Sequence, residues 1–463
     1  MKTPSLGISL IPVILLIGLL SLSVTIYGDG MLSGPSQLIL AISTAVATGI
    51  AMFCYGQKWE ELEQAMVGSI SRTMPANLIL LMVGGLCGTW MHAGIIPTMI
   101  YYGLDVISAR WLLITACMLS ALVSLCIGSS WTTIATIGVG LIGIGRTLGL
   151  DEWWVAGAII SGAYFGDKMS PLSETTNLAS STSGVPLFTH IRNMLYTTVP
   201  SVVITLLIYL VAGIMGDASS ASDCASSAAQ EVQRQLQANF LISPWLLLVP
   251  LGVFYLIYRG LSATVVLFIG MMVGGVIVFC QHNFEFAMTS AFGPVSYDTG
   301  NEVIDSLTDT RGMAGMLNTI WLILMSMCFG GVMERSGMLT CITQNLLKVM
   351  VGRVSTVFTT CLSCLFINVS TGDQSLAIIL PSKMYGEAYK RLNLPSKLLS
   401  RTLEDSGTVT SVLIPWNSCG MTQSTVLGVA TIAYAPFAFF CWISPLMTIL
   451  VAAITGKKAK ETA

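Results

Sequence analysis

The chain alternates long apolar stretches with short polar connections. A helix crosses the hydrocarbon of a bilayer in about 20 residues, and apolar stretches of that order recur along nearly the whole sequence. No period-two alternation of apolar and polar residues, the mark of a transmembrane barrel, interrupts them. The pattern predicts a first set of spans at 8–27, 36–56, 76–91, 153–186 and 195–213, and a second at 244–258, 262–280, 316–334, 399–433 and 436–455. Between the third and fourth span of each set lie two shorter apolar arms, 110–127 with 132–145 and 356–369 with 376–389. They read as hairpins that return to the side they entered from. Segment 60–71 reads as a separate amphipathic helix on the membrane surface, and 217–243, rich in Ser, Ala and Gln, as a linker.

The fourth span of each set is broken by polar residues. In the first the break is Gly166-Asp167-Lys168-Met169-Ser170-Pro171-Leu172-Ser173-Glu174-Thr175-Thr176-Asn177, and in the second it runs from Glu404 to Ser418. The hairpin tips are polar too: Ser129, Ser130, Thr132 and Thr133 in the first, Ser370, Thr371, Asp373, Gln374 and Ser375 in the second. Irregular backbone at membrane depth is tolerated only where protein buries it or where it lines a watery cavity. Ionisable residues there are functional candidates by default.

The two sets echo one another. Gly88-Thr89-Trp90-Met91-His92-Ala93-Gly94 resembles Gly331-Val332-Met333-Glu334-Arg335-Ser336-Gly337, an offset of 243 (337 − 94). The same offset lays the first tip over the second, and a slip of two (411 − 170 = 241) lays Ser170 over Ser411. Five spans plus a hairpin make an odd number of crossings, so the second copy enters the membrane upside down. The expected fold is an all-α polytopic membrane protein of two inverted-topology repeats, each about five transmembrane helices plus a hairpin, with broken helices at the midplane. The first repeat would be 1–216, an extracytoplasmic linker 217–243 and the second repeat 244–463. Inverted repeats with discontinuous helices are the signature of secondary transporters.

Composition agrees: 54% of residues are hydrophobic, 10% are charged and the mean hydropathy is +0.78, whereas soluble domains carry about 25% charge. A net charge of −2 gives no reason to expect a nucleic-acid partner. Segment 8–27 lacks a small-residue cleavage site and reads as a retained first span. Lys390, Arg391, Lys397, Arg401 and the tail lysines mark their loops as cytoplasmic by the positive-inside rule. The acidic stretches 217–239 and 281–315 belong outside, and both termini fall inside.

Tips and breaks together offer carboxylate, hydroxyl, amide and carbonyl oxygens, the ligands a small hard cation such as Na⁺ needs. A carboxylate withdrawn from water also takes up a proton more readily, so Na⁺ and H⁺ competing for one group would be exchanged without further machinery. Asp167 and Asp373 are first candidates to hold Na⁺ or H⁺, followed by Glu174 and Asp405. Ser129, Ser130, Thr132, Ser170, Thr176, Asn177, Thr371, Gln374 and Asn417 would supply the remaining oxygens. No cofactor is expected beyond Na⁺ and H⁺ as transported or coupling ions.

Each candidate has a structural alternative. Asp167 and Lys168 form an ion pair that pins the break in one reading. Glu174 caps the next helical turn in another. Asp373 accepts backbone N–H bonds, and Glu404 and Asp405 merely start an interfacial helix. Gly84, Gly85 and Gly88, with Gly138, Gly140, Gly143 and Gly145, read as close helix packing. His92 and Arg335 read as loop-side anchors, and Cys361 and Cys364 as packing thiols. Asn368 opens a glycosylation sequon but lies in an apolar arm. A channel would need a symmetric filter, and an aspartyl protease would need Asp167 and Asp405 as a catalytic pair.

The first break, with Thr371-Gly372-Asp373-Gln374, Glu404-Asp405-Ser406-Gly407-Thr408 and Ile414-Pro415-Trp416-Asn417, resembles the NhaC family of Na⁺/H⁺ antiporters over roughly residues 78–450. Glu174 stands where many members carry Asp, and Val412 where many carry Pro. The resemblance implies a bacterial inner-membrane carrier that exchanges Na⁺ for H⁺, in some members coupled to organic anions such as malate and lactate or to amino acids. It also implies a possible homodimer. The rival reading is a Na⁺-coupled carrier of an organic anion or amino acid, with the hairpin tips on the substrate carboxylate.

Overall fold

A computed structural model of the chain describes residues 4–27, 34–106, 108–215, 230–296 and 310–461. Lipid offers no partners to backbone N–H and C=O groups, so a spanning segment must pair them within itself. The apolar stretches are accordingly helical. They begin with α1 (Leu6–Tyr27), α2 (Pro35–Tyr55), α3 (Trp59–His92), α4 (Ile95–Val106) and α5 (Ala109–Ile127). The first hairpin returns through α6 (Ser130–Thr133), a π-turn (Ile134–Gly138) and α7 (Val139–Thr147). Next come α8 (Glu152–Met169), α9 (Glu174–Thr182), α10 (Leu187–Met215) and the short α11 (Gln230–Asn239).

The second set holds α12 (Leu248–Tyr258), α13 (Ala263–Gln281), α14 (Phe284–Phe292), α15 (Leu317–Arg335), α16 (Met338–Leu347), α17 (Arg353–Thr371) and α18 (Gln374–Arg391). It closes with α19 (Ser396–Leu403), a π-turn (Glu404–Thr408) running into Val409–Ser411, α20 (Ser418–Leu427) and, after a short turn, α21 (Phe439–Glu461). Eight of the described helices are long and apolar enough to cross a membrane, or up to ten if each of two bent pairs is one span. Large apolar side chains such as Phe53, Leu122, Leu207, Val276 and Leu446 lie exposed along them, where lipid is the solvent. The chain is an all-α multi-pass membrane protein.

Three expectations need correction or completion. Segment 60–71 is no separate helix: α3 runs unbroken from Trp59 through Pro75 to His92. Packing along its length outweighs the local preference of proline to end a helix. Gly331 of α15 lies where a Cβ would come within 2.8 Å of the Ala65 carbonyl, and Gly88 where one would meet the Ser290 carbonyl at 2.0 Å. Gly84, Gly85 and Gly88 of α3 are thus close-packing positions, as read from the sequence. Helices α4 and α16, which follow Gly94 and Gly337, were not anticipated. Of the two acidic stretches, residues 216–229 and 297–309 lie outside the described residues.

The same local devices recur in the two sets. Gly94 (φ 82°) and Gly337 (φ 74°) each turn the chain from a long helix into a short one. Gly128 (φ 74°) and Gly372 (φ 65°) each end a hairpin arm, and the next residue, Ser129 or Asp373, caps the returning arm with its side chain. Ser173 and Asn417 each cap the helix that resumes after a break. Hairpin tips and break caps both sit 244 residues apart (372 − 128 and 417 − 173), one residue more than the glycine turns.

Candidate functional site

Each hairpin tip is built against the break of its own set. A Cβ on Gly128 would come within 2.7 Å of the Leu172 backbone carbon, so only glycine lets the first tip sit on the first break. Across that contact Ser130 donates to Asp167 Oδ2 from both its backbone N–H (3.0 Å) and its hydroxyl (2.7 Å). In the second set Ser418 donates its N–H to the Gly372 carbonyl (2.9 Å), and Trp416 donates its indole N–H to the Val369 carbonyl (2.7 Å). Asn368 adds two donations, to the Gly407 carbonyl (2.7 Å) and to Thr410 Oγ1 (3.0 Å). Asn417 donates back to the Asn368 carbonyl and side-chain oxygen, both at 3.2 Å.

Asp167 and Asp373 are buried at 7% and 6% exposure, and Glu174 lies within electrostatic reach of both. Asp373 Oδ1 accepts from Ser375 N (2.7 Å) and Leu376 N (3.4 Å), so the backbone-capping role expected as an alternative is present. Glu174 is exposed at the first position of α9, where Ser173 rather than Glu174 caps the helix. Asn177 is also exposed, and its amide closes the break by donating to the Pro171 (2.9 Å) and Ser173 (2.7 Å) carbonyls.

The other hydroxyl candidates mostly hold backbone. Ser129 Oγ accepts from Thr132 N (3.3 Å) and Thr132 Oγ1 (3.1 Å), and Ser170 Oγ accepts from Leu172 N (3.3 Å). Thr176 donates to the Lys168 carbonyl (2.9 Å), Thr371 to the Ile367 carbonyl (2.8 Å) and Gln374 to the Thr408 carbonyl (3.1 Å). Among the described residues no three His, Cys, Asp or Glu side chains gather as a metal cluster. A cation here would rest on the mixed oxygen set of the tips and breaks.

The two sets meet at a second group of charges that the sequence reading underrated. Lys168 is fully buried and pairs with Asp405 instead of its neighbour Asp167. Its ammonium also donates to Ser444 Oγ (2.8 Å) and stands 5.6 Å from the centre of the Phe440 ring. Thr175 donates to Glu404 Oε1 at 3.0 Å. Glu404 and Asp405 have no exposed surface, which corrects their reading as an interfacial helix start. Helix α19 begins eight residues earlier, at Ser396, which at 1.5 Å per residue places them roughly 12 Å along the helix from its start. Arg401, one turn before Asp405, is buried beside it at 3.9 Å. Asp167 and Asp405 thus take different partners and do not form a pair.

Asn368, Lys168, Glu404, Arg401 and Ser444 were the residues missed as site members. An amide in the last turn of an apolar hairpin arm was the available signal for Asn368, and the i, i+4 spacing of Arg401 and Asp405 was the signal for the buried cluster.

A family model described as the Na⁺/H⁺ antiporter family matches residues 162–456, more than half of the chain. The Na⁺/H⁺ antiporter NhaC of Alkalihalophilus pseudofirmus is 41% identical over 85% of this chain and 84% of its own length. The Na⁺/H⁺ antiporter NhaC of Bacillus subtilis is 34% identical over 89% and 91%. The malate-2H⁺/Na⁺-lactate antiporter of Bacillus subtilis is also 34% identical, over 97% and 95%. These relatives are named as antiporters, not as enzymes.

Proposed function

The chain belongs to the Na⁺/H⁺ antiporter family, and from that premise we propose that it exchanges Na⁺ for H⁺ by exposing buried carboxylates alternately to the two sides of the membrane. The observation that carries this reading is the seating of both hairpin tips on both helix breaks, with Asp167 and Asp373 buried there. Asp167, already held by Ser130, and Asp373, held by the first amides of α18, bind Na⁺ or H⁺ in turn. Hydroxyl and carbonyl oxygens of the tips complete the shell for the ion.

The Lys168–Asp405 pair joins the first break to the second across the interface between the sets. It keeps the two breaks in one register while the ion sites load. The two sets form repeats of opposite orientation, 1–216 and 244–463, joined by 217–243 outside. Both termini lie in the cytoplasm, the membrane is the bacterial inner membrane, and the protein works as a homodimer.

Reconstituted in liposomes with a trapped pH dye, the protein should move protons when Na⁺ alone is added. At one shared carboxylate Na⁺ and H⁺ compete, so the apparent KM for Na⁺ should fall as pH rises until the group stays deprotonated. A KM for Na⁺ indifferent to pH, or proton movement that requires an organic solute, contradicts the reading.

A further inference from the structure

Helix α20 begins where the two hairpins meet. The Cys419 thiol, buried in its first turn, donates to Gln374 Oε1 of the second tip at 3.1 Å. It also faces Trp131 of the first tip and Tyr164 of α8. Two turns further on, α20 lies against the π-turn of the first hairpin: a Cβ on Gly138 would stand 3.3 Å from Leu427 Cδ2. Gln423 lies midway, four residues from Cys419 and four from Leu427, and so on the face that α20 turns to the first hairpin.

Gln423 has no exposed surface, and neither its Oε1 nor its Nε2 has a hydrogen-bond partner among the described residues. The Tyr164 hydroxyl, on a side chain equally without exposure, is unpartnered as well. Buried polar side chains are nearly always hydrogen-bonded, so an amide open on both atoms calls for a ligand. The hairpin opposite runs through the π-turn Ile134–Gly138, a geometry that recurs at functional sites.

The charges around this junction select the ligand. Helix α20, α6 and the π-turn carry no charged residue. Asp373, next to Gln374, is within electrostatic reach of Cys419, and Asp167 follows Tyr164 by one turn of α8. Lys168, the cation beside Asp167, is paired with Asp405. The nearby uncompensated charges are carboxylates, so an anion is repelled. A small cation finds both a negative field and neutral oxygens to bind.

We propose that Gln423, with the Tyr164 hydroxyl, forms a station of neutral oxygens that holds the transported cation beside the two aspartates. Neither group exchanges a proton for the ion. The station therefore discriminates by the size and coordination of the cation, which makes Gln423 a specificity-determining residue. The inference rests on the reading that Na⁺ is the exchanged ion.

The test measures binding of radiolabelled Na⁺ to full-length protein in detergent, with unlabelled Na⁺ or Li⁺ as competitor, for wild type, Gln423→Leu and Tyr164→Phe. Each substitution removes only polar groups that have no protein partner, so the unfolding midpoint should equal or exceed that of wild type. Na⁺ binding should weaken about tenfold in Gln423→Leu, the effect of losing roughly 1.4 kcal/mol from one contact to a charged group. It should weaken in Tyr164→Phe as well. The ratio of Li⁺ to Na⁺ affinity should change in Gln423→Leu, because the two ions lose unequally when one ligand goes. A role in packing alone would not move that ratio. Wild-type Na⁺ affinity in both variants, or an unchanged ratio in Gln423→Leu, overturns the proposal. Should Gln423→Leu fail to fold, the affinity of Tyr164→Phe decides. Na⁺ binding that depends on Gln423 in a protein that shows no Na⁺/H⁺ exchange would sink the proposed function and leave this station standing.

Discussion

At the scale of single residues, the site works through side chains that hold one another across gaps in the helices. Ser130 reaches Asp167 twice, by N–H and by hydroxyl. Bonds to an ionised group contribute about 1.5–3 kcal/mol. Ser130→Ala, which removes the hydroxyl and keeps the amide, should therefore weaken Na⁺ binding by roughly 10-fold or somewhat more, read as the KM for Na⁺ in proteoliposomes. An unchanged KM would take Ser130 out of the ion's surroundings. Lys168 makes a harsher prediction. Breaking a fully buried ion pair from one side destabilises by about 3–5 kcal/mol, whereas replacing both partners with apolar residues of similar size is often neutral. Lys168→Met should lower the thermal unfolding midpoint in detergent, and adding Asp405→Leu should not restore it, because the buried Arg401 beside Asp405 would then lose its counter-charge. Equal midpoints for wild type and Lys168→Met would show that the pair is not closed in the folded protein. The partners sit 237 residues apart, and no local pattern announces their meeting. The pairing of Lys168 with Asp167 looked natural in sequence only because they are neighbours. On a helix, neighbours point 100° apart.

Among the elements, the interruptions were the most legible features of the chain. A glycine followed by a capping residue inside an apolar run, Gly128-Ser129 and Gly372-Asp373, states locally that one arm ends and another begins. Both hairpin tips carry that signal, and both breaks show as polar runs inside apolar segments. The long helix α3 could not be drawn, because charge at its start and Pro75 within it argued for two elements, and packing along its length against α13, α14 and α15 holds them as one. Helices α4 and α16 were hidden for a related reason: each is a short apolar run directly after a long one, so hydropathy alone does not separate them. The glycine at the second tip is testable. A Cβ on Gly372 would meet Ser326 Oγ at 2.0 Å, and φ 65° is strained for any side chain. Gly372→Ala should cost at least about 1–2 kcal/mol from the backbone alone and displace Asp373. Transport should fall far more than the unfolding midpoint does. A variant with normal transport would show that the second tip is not held against its break during the cycle.

For the molecule as a whole, charge and hydropathy were enough to make the chain a multi-pass helical membrane protein, and the family match agrees. The way the two sets assemble around their breaks needed coordinates, because it depends on contacts between Thr175 and Glu404 and between Lys168 and Asp405 that span the full length of the repeat. The sidedness proposed for the chain has its own check. Single cysteines placed at Lys397 and at Gln237, in a background from which all twelve native cysteines are removed, should react with an impermeant maleimide from opposite sides of the inner membrane. Labelling of both from the same side contradicts the orientation. The central claim is that the buried aspartates at tip and break carry the exchanged ions. It is tested most directly by Na⁺-induced proton movement in proteoliposomes containing wild type, Asp167→Asn or Asp373→Asn. The account predicts exchange by the wild type and its loss, by about 100-fold or more, in each variant while both remain folded. Exchange at the wild-type rate in both variants would contradict it.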